Sequence, residues 1–214
     1  YFAIKAIDNV GNISLTSNIA TATTLPVSAV FSDDMESAGG NWAISGSDGV
    51  GGPSIWHLST HRAASPTTAF YYGREDTLTY NTGATNSGAI TSKPIDLNGV
   101  SDATLIFNHF LQTENFSPYD AASVGISADD GVTWDLLMVT SIGTGGQMLP
   151  VELDISAYQD KVIHLRFAFN TIDSIANDFE GWVVDDVVVV GVVEDDTTPP
   201  AAITDLIAAN VGIT

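Results

Sequence analysis

The chain contains no cysteine among its 214 residues. That absence excludes a disulfide framework, a thiolate zinc site and a cysteine nucleophile. Basic residues are nearly as scarce, with 6 Lys+Arg against 26 Asp+Glu and a formal net charge of −20. A surface so biased repels phosphate backbones and anionic headgroups, which argues against nucleic-acid and membrane partners. Long apolar runs are missing too. The longest, Val187 to Val193, is far too short to cross a bilayer, so no membrane insertion is expected.

Signatures of catalysis are equally absent. The chain has no G-x-S-x-G elbow, no G-x-x-x-x-G-K phosphate loop and no H-E-x-x-H helix. His57 and His61 in WHLSTH have i,i+4 spacing, but they lie where a strand runs into a loop and lack the accompanying glutamate. Packing or turn roles are expected for them, and core or edge positions for His109 and His164. Acid pairs abound, yet no spacing singles out a glycosidase couple. The chain reads as a non-enzyme.

Apolar residues make up 44% of the chain, enough for one good-sized core despite the charge. Val, Ile, Thr, Phe and Tyr recur in short runs broken about every ten residues by Gly, Asn, Asp, Ser or Pro. Strands are predicted at 104–112, 122–128, 149–156, 162–170 and 182–190, with less distinct ones near 29–36, 55–58, 67–73 and 88–97. The best helical candidate is one short turn at 155–159. This pattern predicts an all-β sandwich.

Three segments separate. Residues 1–26 carry two strands around a DNVGN turn and resemble the final hairpin of a fibronectin type III (Ig-like) domain. Residues 194–202 form an acidic, proline-containing linker, and 203–214 resemble the first strand of another such domain. These are expected to be partial domains, either frayed ends or pieces completed by neighbouring domains or copies through strand addition in a head-to-tail array. Residues 27–193 read as one domain.

Its acids carry the chemistry. In WVVDDVVVV, simple alternation places Trp182, Val184, Asp186, Val188 and Val190 on one face and Val183, Asp185, Val187 and Val189 on the other. An aspartate in a core-facing row is costly unless donors or a metal meet it. Near the domain start, SDDMES offers Asp34 and Glu36 on one face. Pairing of the first and last strands, common in jelly rolls, would gather these acids with Asp185 and Asp186. Two readings follow: a Ca²⁺ site, because hard oxygen ligands suit that ion, or loop-capping acids bonded to backbone N–H groups. A second group comes from two loops: Glu114 and Asp120 in TENFSPYD, and Asp173, Asn177, Asp178 and Glu180 in TIDSIANDFEG. Loop oxygens at such spacing suit a cation or simply form turns.

SADDGVTW (127–134) fits the Asp-box pattern, in which Asp129 or Asp130 bonds the turn, Gly131 supplies positive φ and Trp134 packs beneath the hairpin. It is read as a fold element. Trp42, Trp56, Tyr71, Tyr72 and Tyr80 are either exposed rings for a glycan or core side chains.

The succession DDMES, IWHLSTHRAASP, AFYYG, SGAITSKPIDL, ATLIFNHFLQTE, YDAASVGISADDGVTW, LDISAY, HLRFAFNTID and NDFEGWVVDD resembles the MAM-like jelly-roll module found in immune inhibitor A-type peptidases and related bacterial and archaeal surface proteins. The resemblance spans about 160 residues. It implies a jelly-roll sandwich, calcium held by acids at the domain ends, and a binding or spacer role. Asp34 and Glu36 match its opening acidic motif, and Asp185 and Asp186 its closing one. Glu114, Asp120, Asp173, Asn177, Asp178 and Glu180 match its acidic loop positions. The peptidase zinc motif is absent, as are the cysteines of animal MAM domains, so neither protease activity nor their adhesion partners carry over. The expected function is a calcium-stabilised structural or adhesive module of a secreted or cell-surface protein. The alternative is a carbohydrate-binding module.

Overall fold

The computed structural model describes residues 26–193. Segments 1–25 and 194–214, on which the fibronectin-like, linker and strand-addition expectations rest, lie outside the described residues.

Twelve strands follow in order: β1 (Val27–Asp33), β2 (Trp42–Ser47), β3 (Trp56–Ser59), β4 (Ala69–Tyr72), β5 (Ser87–Ser92), β6 (Ile95–Asp96), β7 (Val100–Gln112), β8 (Ala121–Ser127), β9 (Asp135–Thr140), β10 (Leu149–Asp154), β11 (Val162–Asn170) and β12 (Gly181–Val193). The expected helical turn is a 3₁₀ turn at Ser156–Tyr158. β2 and β9 are the strands that sequence periodicity misses. Both are sheet edges with mostly exposed side chains, so neither shows a clean apolar alternation.

The strands form two antiparallel sheets. One runs β10-β7-β12-β4-β3, with β1 also on β12, and the other runs β2-β5-β11-β8-β9, with β6 also on β11. Each central strand therefore serves two partners in succession. β12 pairs with β4 over Trp182–Val184 and with β1 over Val187–Val192. First and last strands of the described unit do pair, as expected.

Between the sheets lies one core in which alternate residues of β11 (Ile163, Leu165, Phe167, Phe169) meet Leu105 and Phe107 of β7 and Trp182 and Val184 of β12. Phe167 sits edge-on to Phe107 at 5.0 Å and to Trp42 at 5.6 Å, the geometry aromatic quadrupoles favour. This is a jelly-roll β-sandwich.

Simple alternation fails in β12. Trp182, Val184, Val187 and Val189 share the core, so the inward phase changes between Val184 and Val187. A β-bulge causes this: the register with β7 shifts between Asp185 and Val188, and Asp186 takes φ +51. One extra residue resets the pleat. The expected face assignment is therefore wrong beyond Val184, and it is the two aspartates that occupy the break.

The Asp-box hairpin forms as read. Asp129 accepts from Thr133 N (2.8 Å) and Thr133 Oγ1 (2.5 Å), Gly131 has φ +80, and Trp134 Nε1 donates to the Gly131 carbonyl at 3.0 Å. Those donors hold the Asp129 carboxyl down to about 2. Asp129, not Asp130, is the turn's acceptor.

Candidate functional site

The opening and closing acids do approach each other, through the loop at 62–68. Asp185, fully buried, accepts from Ala64 N (2.7 Å) and Ser65 N (3.1 Å) on Oδ2 and from Asp186 N (2.8 Å) on Oδ1. Asp186 takes Ser65 Oγ on one oxygen and Asn108 Nδ2 (2.9 Å) on the other. Glu36 accepts from Thr67 N (2.9 Å), Thr68 N (2.7 Å) and Thr67 Oγ1 (2.6 Å). These donors lower the Glu36 pKa, whereas burial raises that of Asp185.

All six carboxylate oxygens of this set thus have N–H or O–H donors. Among the described residues no group of three or more acidic, histidine or cysteine side chains is disposed to hold a metal. Most of these donors come from the loop at 62–68, so the three acids fasten that loop. Asp34 does not join them. Its side chain is exposed and caps Glu36 N at 3.2 Å. The buried acid of SDDMES is instead Asp33, which accepts from Met35 N, Asn41 Nδ2 and Trp42 Nε1. Sequence reading missed it because period-2 pairing drew attention to Asp34 and Glu36. Glu36, Asp185 and Asp186 thus form a clamp that pins one loop, and Asp34 takes no part in it.

The second acidic group divides three ways. Glu180 forms a bidentate pair with Arg62 (2.7 and 3.0 Å) and meets His61 Nε2 at 3.1 Å. Asp178 accepts from Asn81 Nδ2 at 2.7 Å. Glu114, Asp120, Asp173 and Asn177 remain together. Asp120 is fully buried, takes the Tyr80 hydroxyl at 2.5 Å, and is pushed up to about 6, chiefly by burial, with Glu114 and Asp173 adding repulsion. Asp173 caps Ile175 N at 2.8 Å.

Of the two readings of the aromatic candidates, the core one holds and the exposed-ring one is corrected. Trp42 is 9% exposed, Trp56 2%, and Tyr71, Tyr72 and Tyr80 no more than 1%. Trp42, Trp56, Tyr72 and Tyr80 pack against one another and against Phe70, Phe169 and Trp182 in the core between the sheets, whereas Tyr71, on the opposite face of β4, is buried in a second cluster with Ala69, Phe110 and Val183. None presents a ring to a sugar.

What the outer surface does offer is a groove of about 480 Å³ across the second sheet. It runs over the solvent side of β2, β5, β11, β8 and β9. Its floor is made of small residues, among them Ser45, Gly88, Ala89, Ser123 and Ala168. Small side chains on four adjacent strands, β2, β5, β11 and β8, leave a trough where larger ones would fill it. Leu136 (64% exposed), Val139 (56%) and Ile172 (45%) form apolar flanks. Arg166 lies over the Trp134 ring, 4.2 Å from its centroid, and lines the groove. The other arginines have acidic partners, Arg62 with Glu180 and Arg74 with Asp76. Among the described residues Arg166 has none. Sequence reading missed the groove because Gly, Ala and Ser carry no signal of their own.

No protein-family model and no curated protein matches the sequence. Solved structures do. Two cleaved adhesin domains of Lys-gingipain from Porphyromonas gingivalis superpose with TM-scores of 0.52 and 0.51 at 15% and 16% identity. The first match covers 74% of this chain and 96% of that domain, the second 76% and 98%. A carbohydrate-binding module, TmCBM61, solved with β-1,4-galactotriose, aligns at 12% identity and a TM-score of 0.49, covering 73% of this chain and 92% of that one. At such identities the likeness to the adhesin domains is one of fold alone.

Proposed function

We propose that residues 26–193 are a non-catalytic binding module of a secreted or cell-surface protein, and that the groove across the second sheet takes an uncharged glycan. The observation that carries this reading is the groove itself, an open trough with an unpaired guanidinium beside it. Its volume falls within the range of small-ligand sites. Serine hydroxyls on the floor and the five N–H donors of Arg166 suit sugar hydroxyls, and the apolar flanks suit the C–H faces of a pyranose. A net charge of −20 disfavours a polyanionic chain, which is why an uncharged one is named. With the aromatics inside, recognition would rest on hydrogen bonds and shape without ring stacking.

The MAM-like resemblance belongs to the same proposal, as a family of surface modules with a binding or spacer role. A module that adheres to glycan satisfies both the adhesive reading and the carbohydrate-binding one.

Affinity electrophoresis against a panel of uncharged polysaccharides tests it. At least one should retard the protein. Arg166→Ala and the groove-filling Ser123→Trp should each weaken that retardation at least tenfold while leaving the melting temperature of the protein nearly unchanged. Lack of retardation by every polysaccharide, or equal retardation of both variants, would refute the assignment.

A further inference from the structure

We infer that Trp134 is a positioning residue for the groove: its indole holds the Arg166 guanidinium beside the trough with the N–H donors left free. The Asp-box hairpin then serves binding as well as folding. This role rests on the reading of the groove as a glycan site.

The place of the indole is set by its neighbours. Gly125 of β8 and Arg166 of β11 are cross-strand partners on the solvent face of the second sheet. A methyl group at 125 would already touch the Trp134 ring, at 3.4 Å, and a longer side chain would displace it. Trp134 Nε1 donates to the Gly131 carbonyl at 3.0 Å, which fixes the rotation of the ring. Asp129 braces that turn by accepting from Ser127 Oγ at 2.8 Å and from the Thr133 N–H and hydroxyl. The guanidinium of Arg166 rests on the ring so fixed, 4.2 Å from its centroid.

How an arginine is held decides what its donors can do. Arg62 and Arg74 each spend two N–H groups on one carboxylate, Glu180 and Asp76 respectively. An aromatic face attracts the cation through its π-electrons and leaves the N–H groups in the guanidinium plane unused. Asp130, in the same hairpin, meets His164 Nε2 at 3.1 Å. Arg166 is thus fixed without an acid in a chain that has 26 Asp+Glu. Its donors stay available to sugar hydroxyls lying over Ser123 and Ala168, which line the same groove.

The test uses the whole chain with Trp134→Phe, Trp134→Leu, Arg166→Ala and the double variant of Trp134→Leu with Arg166→Ala. Affinity electrophoresis uses a polysaccharide that retards the parent protein. Heteronuclear NMR follows the Arg166 Nε–H signal, which the ring current of a stacked indole moves upfield. Trp134→Leu should return that signal to its ordinary position and weaken retardation about fivefold or more. Trp134→Phe keeps an aromatic face and should stay within about twofold of the parent. In the Arg166→Ala background Trp134→Leu should cost nothing further, because its effect passes through the guanidinium.

The inference is overturned if Trp134→Leu binds as well as the parent, or if it costs as much without Arg166 as with it. It is also overturned if the Arg166 signal of the parent is unshifted, and that outcome decides alone should Trp134→Leu not fold. If no polysaccharide retards the parent while the signal is shifted, the glycan reading falls and the holding of Arg166 by Trp134 stands.

Discussion

Two indoles in the same core differ by a single contact. Trp42 Nε1 donates to Asp33 Oδ2 at 3.0 Å, whereas Trp56 Nε1 is buried with no partner. A hydrogen bond to a charged acceptor contributes about 1.5–3 kcal/mol, and a buried unpaired donor contributes nothing to offset its desolvation. Replacing each with Phe removes similar apolar area, but only Trp42→Phe also strips Asp33 of a donor. Urea unfolding should therefore show Trp42→Phe costing about 2 kcal/mol more than Trp56→Phe. Equal losses would mean that the Asp33 contact contributes little. At this scale the sequence announces that the rings are bulky and apolar. It does not say which indole finds an acceptor, because the acceptor arrives from another strand.

β12 shows how an element accommodates charge inside a sheet. A 13-residue strand with valine on both faces, interrupted by Asp185 and Asp186, reads as buried throughout. Yet it is buried without a break only from Gly181 to Asp185, and beyond that Val188, Val190 and Val192 are half-buried and Val193 is exposed. The bulge turns that interruption to use. It shifts the core phase, lets the strand change partner from β4 to β1, and aims Asp185 at the backbone of Ala64 and Ser65. Asp185→Val would extend the apolar run yet leave three backbone N–H groups without their acceptor. The expected loss is about 3 kcal/mol by urea denaturation, with Asp185→Asn losing less because one oxygen remains. A neutral effect of Asp185→Val would show that the loop is held by something other than this carboxylate. The strand itself was legible from its valines. Its kink was not, since a bulge depends on which partners lie alongside, and partners are distant in the chain.

Over the whole molecule the dominant quantity is the excess of acid. Repulsion among surface carboxylates opposes the compact state, and monovalent salt screens it with a Debye length that falls from about 30 Å at 0.01 M to about 3 Å at 1 M. Raising NaCl from about 10 mM to about 0.5 M should raise the melting temperature by roughly 2–4 °C, the change that about 1 kcal/mol produces in a domain of this size. A melting temperature that is flat or falling with salt would show that local donors neutralise the acids already. The clamp at 62–68 does this for Glu36, Asp185 and Asp186, and Arg62 does it for Glu180. Sequence-level arithmetic counts charges correctly and overestimates their mutual repulsion, because backbone N–H groups are absent from such counts.

The amino-acid order alone determined that this chain builds an all-β sandwich, where its longer strands lie, and that an Asp-box turn closes one hairpin. Alternation and turn chemistry are local, so they survive without knowledge of the fold. Tertiary structure decided which donors each buried acid meets, that five candidate aromatics lie inside, and that small residues from four strands open a groove on one face. Each of those depends on segments brought together from far apart in the chain, and only the packing of the two sheets fixes their distances.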